Sequence, residues 1–157
     1  MKRSLTIDWD AVHNVFVFRS EERHAVLDLE TGQVRYWCES DGDETESDDL
    51  DAEEVDAAPE RYVPIDPPDS HEAFRWMERF ADGMEDKQVQ NALFRALDGR
   101  RPFRRFKDAL ADFPGRLEAW YAFEEECVYE CMAEWAKSLP VKISDPPAWL
   151  VAKGQFL

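Results

Sequence analysis

The sequence predicts an α+β fold. A small antiparallel sheet, built from a hairpin over residues 24–38 and a strand over 62–65, packs against four to five helices. Three observations predict it. Residues 24–38 place apolar side chains on both sides of a glycine-containing turn, as a β-hairpin requires. Between residues 69 and 137 apolar side chains recur at helical spacing, punctuated by Gly83, Asp98-Gly99 and Pro114-Gly115. The 157 residues, 44% hydrophobic and 13% aromatic, are enough for one domain with its own core.

Leu5, Thr6 and Ile7 suit a short strand. Asp8 then stands as the N-cap of a helix with Trp9, Val12, Val15 and Phe16 on one face. Val15-Phe16-Val17-Phe18 suits a strand equally well, which leaves the end of that helix open. In the hairpin, Val26, Leu27 and Leu29 precede Glu30-Thr31-Gly32-Gln33, and Val34, Tyr36 and Trp37 follow.

Residues 39–60 break the pattern. They hold twelve acids and no Lys or Arg, with Leu50 and Val55 as the only large apolar residues. The net charge of the chain is −16, and only −4 of it lies elsewhere. Such a run repels itself and has little to bury, so it predicts a disordered acidic linker. That linker separates an N-terminal helix and hairpin (1–38) from a helical part with a C-terminal tail (61–157), all within one compact domain.

Tyr62-Val63-Pro64-Ile65 reads as an edge strand because of its proline. Asp69, with Glu72 three positions on, opens a helix whose apolar face holds Ala73, Met77, Phe80, Ala81 and Met84. A second helix spans about 85–97, with Val89, Leu93, Ala96 and Leu97 inward. Pro102 opens a third, where Phe103, Phe106, Leu110 and Phe113 form a stripe. A fourth spans about 116–137, with Leu117, Trp120, Tyr121, Cys127, Val128, Cys131 and Trp135 along one side. The tail, with Trp149-Leu150-Val151 behind Pro146-Pro147, suits a strand added to the hairpin. Trp37, Trp76, Phe80, Phe103, Phe106, Trp120 and Trp135 are the expected core aromatics.

Several stretches occur together here: Leu27-Asp28-Leu29-Glu30-Thr31-Gly32, Tyr62-Val63-Pro64-Ile65-Asp66, the run from Phe74 to Phe80, and Trp120-Tyr121-Ala122-Phe123. The most specific is Gly99-Arg100-Arg101-Pro102-Phe103-Arg104-Arg105-Phe106-Lys107-Asp108. With these the chain resembles the bacterial uncharacterised protein family 0158 over most of residues 24–137. The resemblance implies a bacterial, cytoplasmic protein and brings no catalytic residues with it.

Composition narrows the function classes. No apolar run exceeds five residues, far short of the roughly 20 that a membrane span needs. Asp8 and Asp10 interrupt any signal peptide that Lys2 and Arg3 would begin. The three cysteines, Cys38, Cys127 and Cys131, make a poor disulfide framework and agree with a cytoplasmic location. A charge of −16 argues against the surface as a whole binding nucleic acid.

One segment is the exception. Residues 95–116 carry seven cations against three acids. Arg100, Arg101, Arg104, Arg105 and Lys107 lie in the turn before Pro102 and in the helix behind it. Arginine matches phosphate and carboxylate geometry, and a helix N-terminus favours anions. These five residues are the expected anion-binding site, unless their charges are spent on the chain's own acids. A linker of 22 residues spans roughly 25 Å, so the acidic run is a candidate internal competitor that masks the site.

The leading expectation is therefore a noncatalytic binding or regulatory module with a nucleic-acid or acidic-protein partner. One alternative is an enzyme on a phosphorylated or nucleic-acid substrate, with Glu124 or His71 as acid–base group. The other is a protein–protein adaptor using Trp149 and Phe156. No cofactor or metal is expected: His71-Glu72 lacks the second histidine of a zinc helix, since Arg75 stands four positions on. Glu39, Asp41 and Asp43 begin like a calcium loop, but Glu44 replaces its glycine and Leu50 its final Glu. The sequence has neither a glycine-rich phosphate loop nor a serine nucleophile elbow.

Overall fold

A computed structural model describes residues 3–18, 23–38 and 50–153. The chain divides into two units, one of residues 1–67 and 128–157, the other of residues 68–127. The first unit combines helices with small sheets and the second, among the described residues, is helical, so the chain as a whole has the expected α+β fold.

In the first unit, β1 (Ser4–Leu5) leads to α1 (Trp9–Val17). The Asp8 carboxylate caps α1 by accepting a hydrogen bond from the Ala11 N–H at 3.2 Å. The ambiguous Val15–Phe18 run is thereby helical through Val17, with Val15 and Phe16 buried. Ile7, expected at the end of the first strand, lies beyond it but is buried.

The hairpin forms as expected, from β2 (Arg23–Asp28) and β3 (Val34–Cys38), antiparallel, with Leu27 opposite Val34 and Arg23 opposite Cys38. Its turn depends on Gly32. The residue has φ 78°, and a Cβ there would fall 1.8 Å from the Thr6 carbonyl oxygen. That close approach lets the Gly32 carbonyl accept a hydrogen bond from the Asp8 N–H at 2.9 Å, which ties the turn to the start of α1. β4 (Tyr62–Pro64) pairs antiparallel with the other side of β2, in the order β3-β2-β4. Ile65 falls just outside β4, yet its N–H still bonds to the Ala25 carbonyl at 3.0 Å. As the central strand, β2 is buried continuously from Ala25 to Asp28 rather than on alternate residues.

The linker expected over 39–60 is corrected in its second half; residues 39–49 lie outside the described residues. Leu50 forms a parallel bridge with Trp37, and α2 (Ala52–Ala57) follows. Charge averaged over the whole run hides this, because the two apolar residues sit together at its end. Leu50 joins Val26 and Tyr62 in a buried cluster, with Trp37, Val55 and Ala58 packed against it. The acids of this half fall where a helix tolerates them, with the Glu54 carboxylate accepting from the Asp51 N–H at 3.0 Å.

The second unit contains α3 (Ser70–Asp82), α4 (Lys87–Leu97), α5 (Pro102–Ala111) and the first part of α6 (Arg116–Lys137), whose later part belongs to the first unit. Asp69 caps α3 through the Glu72 N–H at 2.9 Å. Asp86 caps α4 through the Gln88 N–H at 2.9 Å, so α4 begins two residues later than its periodicity suggests. The core is aromatic: Phe80, Phe106 and Trp120 pack edge to face with centroids 5.0 to 6.3 Å apart, and Phe123 lies beside them. Trp76, Phe80, Phe106 and Trp120 are buried as expected, whereas Trp37 and Trp135 are half-buried. Phe103 and Tyr121 depart from expectation, being 38% and 48% exposed.

The tail corrects another expectation. β5 (Lys142–Ile143) pairs in parallel with β1, not with the hairpin. The run expected as a strand lies in α7 (Ala148–Ala152), because the Pro147 carbonyl accepts from both Leu150 and Val151 and starts a helical turn. Leu150 is fully buried with Ala133 and Ala136, with Trp9, Trp135, Ile143 and Trp149 around them.

Candidate functional site

The basic face is built around the connection between α4 and α5. α4 ends at Asp98, whose N–H still bonds to the Phe94 carbonyl. Gly99, Arg100 and Arg101 then turn the chain, and Pro102 starts α5 with φ already set for a helix. Arg101 precedes that proline in the left-handed region, φ 54° and ψ 53°, and as N-cap offers no side-chain hydrogen bond. The first N–H groups of α5 have no carbonyl inside the helix to bond.

Arg100, Arg101, Arg104, Arg105 and Lys107 are all exposed. The Arg105 guanidinium folds back over the turn: a Cβ on Gly99 would lie 1.8 Å from its Nη1 atom. The glycine thus leaves room for a third arginine beside Arg100 and Arg101. Arg104 makes a loose pair with Asp108 at 4.0 Å, both side chains about three-quarters exposed, and such pairs contribute little. Among the described residues, Arg100, Arg101 and Arg105 make no ion pair. Lys107 is different, because its charge acts on Glu124. Glu124 is half-buried, and burial pushes its carboxyl above the ordinary value while Lys107 pulls the other way.

Next to this face lies an open groove of about 700 Å³, whose lining includes Phe74, Phe94, Arg95, Leu97 and Asp98. Phe94 is 39% exposed. Sequence reasoning assigned no role to Phe94 and placed Phe103 in the core. The signal that could have found Phe94 is its position on α4, off the Val89, Leu93, Ala96 and Leu97 face.

The model of the uncharacterised protein family UPF0158 matches residues 2–144, a span that takes in the whole basic face. The chain belongs to this family. A UPF0158 protein of Pseudomonas aeruginosa is 29% identical over 154 residues, covering 92% of this chain and 96% of the relative. No solved structure matches the chain.

The other sites weighed for this UPF0158 chain do not come together. His71 is exposed in the first turn of α3, and neither it nor Glu124 lines the groove beside the arginines. Among the described residues no three His, Cys, Asp or Glu side chains group as metal ligands. Also among them, no helix is long and apolar enough to cross a membrane. Trp149 is half-buried, stacked on Tyr129 at 4.8 Å and edge-on to Trp9 at 5.5 Å, so its ring is engaged within the first unit. Phe156 lies outside the described residues.

Two features of the first unit were not foreseen. A hollow of about 640 Å³ has Val15, Phe18, Ile65 and the stacked pair His24 and Trp37 in its lining, and its charged residues, Arg23, Asp56 and Asp66, are of mixed sign. The other is Asp28, 1% exposed. Its two oxygens accept from Nε and Nη2 of Arg61, each at 3.0 Å, and Oδ1 also accepts from the Glu30 N–H. Burial alone would raise this carboxyl. The Arg61 and backbone hydrogen bonds, with the charges of Arg61 and Arg35, outweigh it and hold the pKa below the ordinary value.

Proposed function

We propose that this UPF0158 chain is a noncatalytic binding module that holds a nucleic-acid backbone on the α5 face. The observation that carries this reading is the exposure of Arg100, Arg101, Arg104 and Arg105 on one turn and the helix it starts, with a single weak ion pair among them within the described residues. On a chain of net charge −16, arginines have many internal acids to choose from. Four left exposed beside a helix N-terminus suit an external anion, and the guanidinium fork suits phosphate. The seven acids of residues 39–49, with no cation among them, act in this reading as a competitor that weakens binding.

The test is binding of fluorescently labelled DNA and RNA across a salt series. Intact protein should bind at low salt, with affinity falling steeply as salt rises. Arg104→Glu with Arg105→Glu should abolish binding while leaving the thermal unfolding midpoint in place. Deleting residues 39–49 should tighten binding; unchanged affinity would remove the competitor from the reading. Binding that survives the double reversal would show the face to be wrongly assigned, and tighter binding of an acidic polypeptide than of nucleic acid would replace the partner.

A further inference from the structure

We infer that the surface around the α4–α5 turn takes single-stranded nucleic acid, with Phe94 and Phe103 as platforms for bases; this rests on the basic-face reading above and names the polymer class that face would hold. Phe103 belongs to an amphipathic stripe whose next members, Phe106 and Leu110, are fully buried, yet Phe103 itself is 38% exposed. Phe94 is 39% exposed on the helix before the turn. A single exposed phenyl ring is ordinary. Two rings, one on each side of a four-residue connection that carries Arg100 and Arg101, form a pattern with a chemistry. Arg95 stands beside Phe94 in the lining of the adjoining groove, together with Phe74.

Cations alone read a phosphate backbone without regard to strandedness. Exposed rings add something only when base faces are open to them, as in a single strand; in a duplex those faces are already stacked. Every base has a π-face, so the expected recognition tolerates sequence. An acidic peptide would use the same cations and leave the rings without a matching partner.

The experiment measures fluorescence anisotropy with a 12-nucleotide oligo(dT), the oligo(U) of equal length, a duplex DNA of equal length and a poly-glutamate peptide. The proteins are the intact chain, Phe94→Leu, Phe103→Leu and the Arg104→Glu/Arg105→Glu pair, each checked for folding by circular dichroism. Leucine keeps the apolar contacts and removes the ring. Each Phe variant should lower single-strand affinity about tenfold with the slope of log K against log salt unchanged. The arginine pair should abolish binding of every nucleic-acid probe. Single strands should bind at least about tenfold tighter than the duplex.

Equal affinity for duplex, or Phe variants that bind like the intact chain while the arginine reversal still abolishes binding, would overturn the stacking inference and leave the basic face standing. Binding indifferent to the arginine reversal, or no binding of any probe at low salt, would overturn both. Tightest binding of poly-glutamate would overturn the inference in favour of an acidic protein partner.

Discussion

Arg101 is a long, charged side chain in a backbone conformation that glycine occupies without strain. Its φ of 54° lies in the left-handed region, which costs a residue with a Cβ about 1–2 kcal/mol. Local rules are broken most often where function requires it. Arg101→Gly should therefore raise stability by about 1 kcal/mol, part of the strain relief being offset by the freer unfolded chain. The same change should weaken polyanion binding. Urea unfolding and a binding titration on one preparation check both halves, and loss of stability would show that Arg101 is held there by packing rather than by function. The cations themselves were legible in the sequence, because seven of them fall within residues 95–116. That Arg100, Arg101 and Arg105 make no ion pair among the described residues was not legible, since pairing with distant acids is set by the fold. Phe103 misled for a related reason. Periodicity names the face of a helix, but it does not say how far along the helix the cover extends.

Elements with local signals were readable: the caps at Asp8 and Asp69, the glycine turn of the hairpin and the stops at Asp98-Gly99 and Pro114-Gly115 are written in adjacent residues. Elements that exist because of distant partners were not. β5 is two residues long and forms only because β1 lies beside it, and α2 folds onto Trp37 and Tyr62. One such distant tie is the Asp28–Arg61 pair, which joins the end of β2 to the residue before β4. Asp28→Asn should lower the thermal unfolding midpoint, because the Arg61 guanidinium loses its bidentate charged acceptor. The pH dependence has a definite sign. A carboxyl with its pKa lowered on folding stabilises above its unfolded value, near 3.8, and loses that contribution as pH falls through the folded value. Thermal melts between pH 7 and pH 2.5 should show a steeper acid loss for the intact chain than for Asp28→Asn. Parallel curves would mean that Asp28 is protonated or unpaired in solution.

At the scale of the whole molecule, the distribution of charge separates two kinds of acid. The unit of residues 68–127 carries a net −3, and the remainder of the chain carries −13. Seven of the acids in that remainder fall in residues 39–49, and five more fall in 50–60. The second half of that acidic run contributes to folding. The second half supplies Leu50, 5% exposed, and Val55 to the cluster on Val26 and Tyr62. Leu50 also extends the hairpin by donating its N–H to the Tyr36 carbonyl at 2.8 Å. Burying a leucine of this kind is worth about 2–3 kcal/mol, and its loss also leaves a void against Trp37 and Tyr62. Deleting residues 39–49 should move the net charge from −16 to −9 and leave the unfolding midpoint unchanged or raised, because self-repulsion falls. Leu50→Ala should lower stability by about 3 kcal/mol while leaving the charge untouched. The two variants, compared by thermal melts at low and high salt, separate charge from packing. Added salt should stabilise the intact chain more than the deletion, and should not rescue Leu50→Ala. If the deletion instead cost as much as Leu50→Ala, the first half of the run would be part of the fold, and its acids could not act as a free competitor for the basic face.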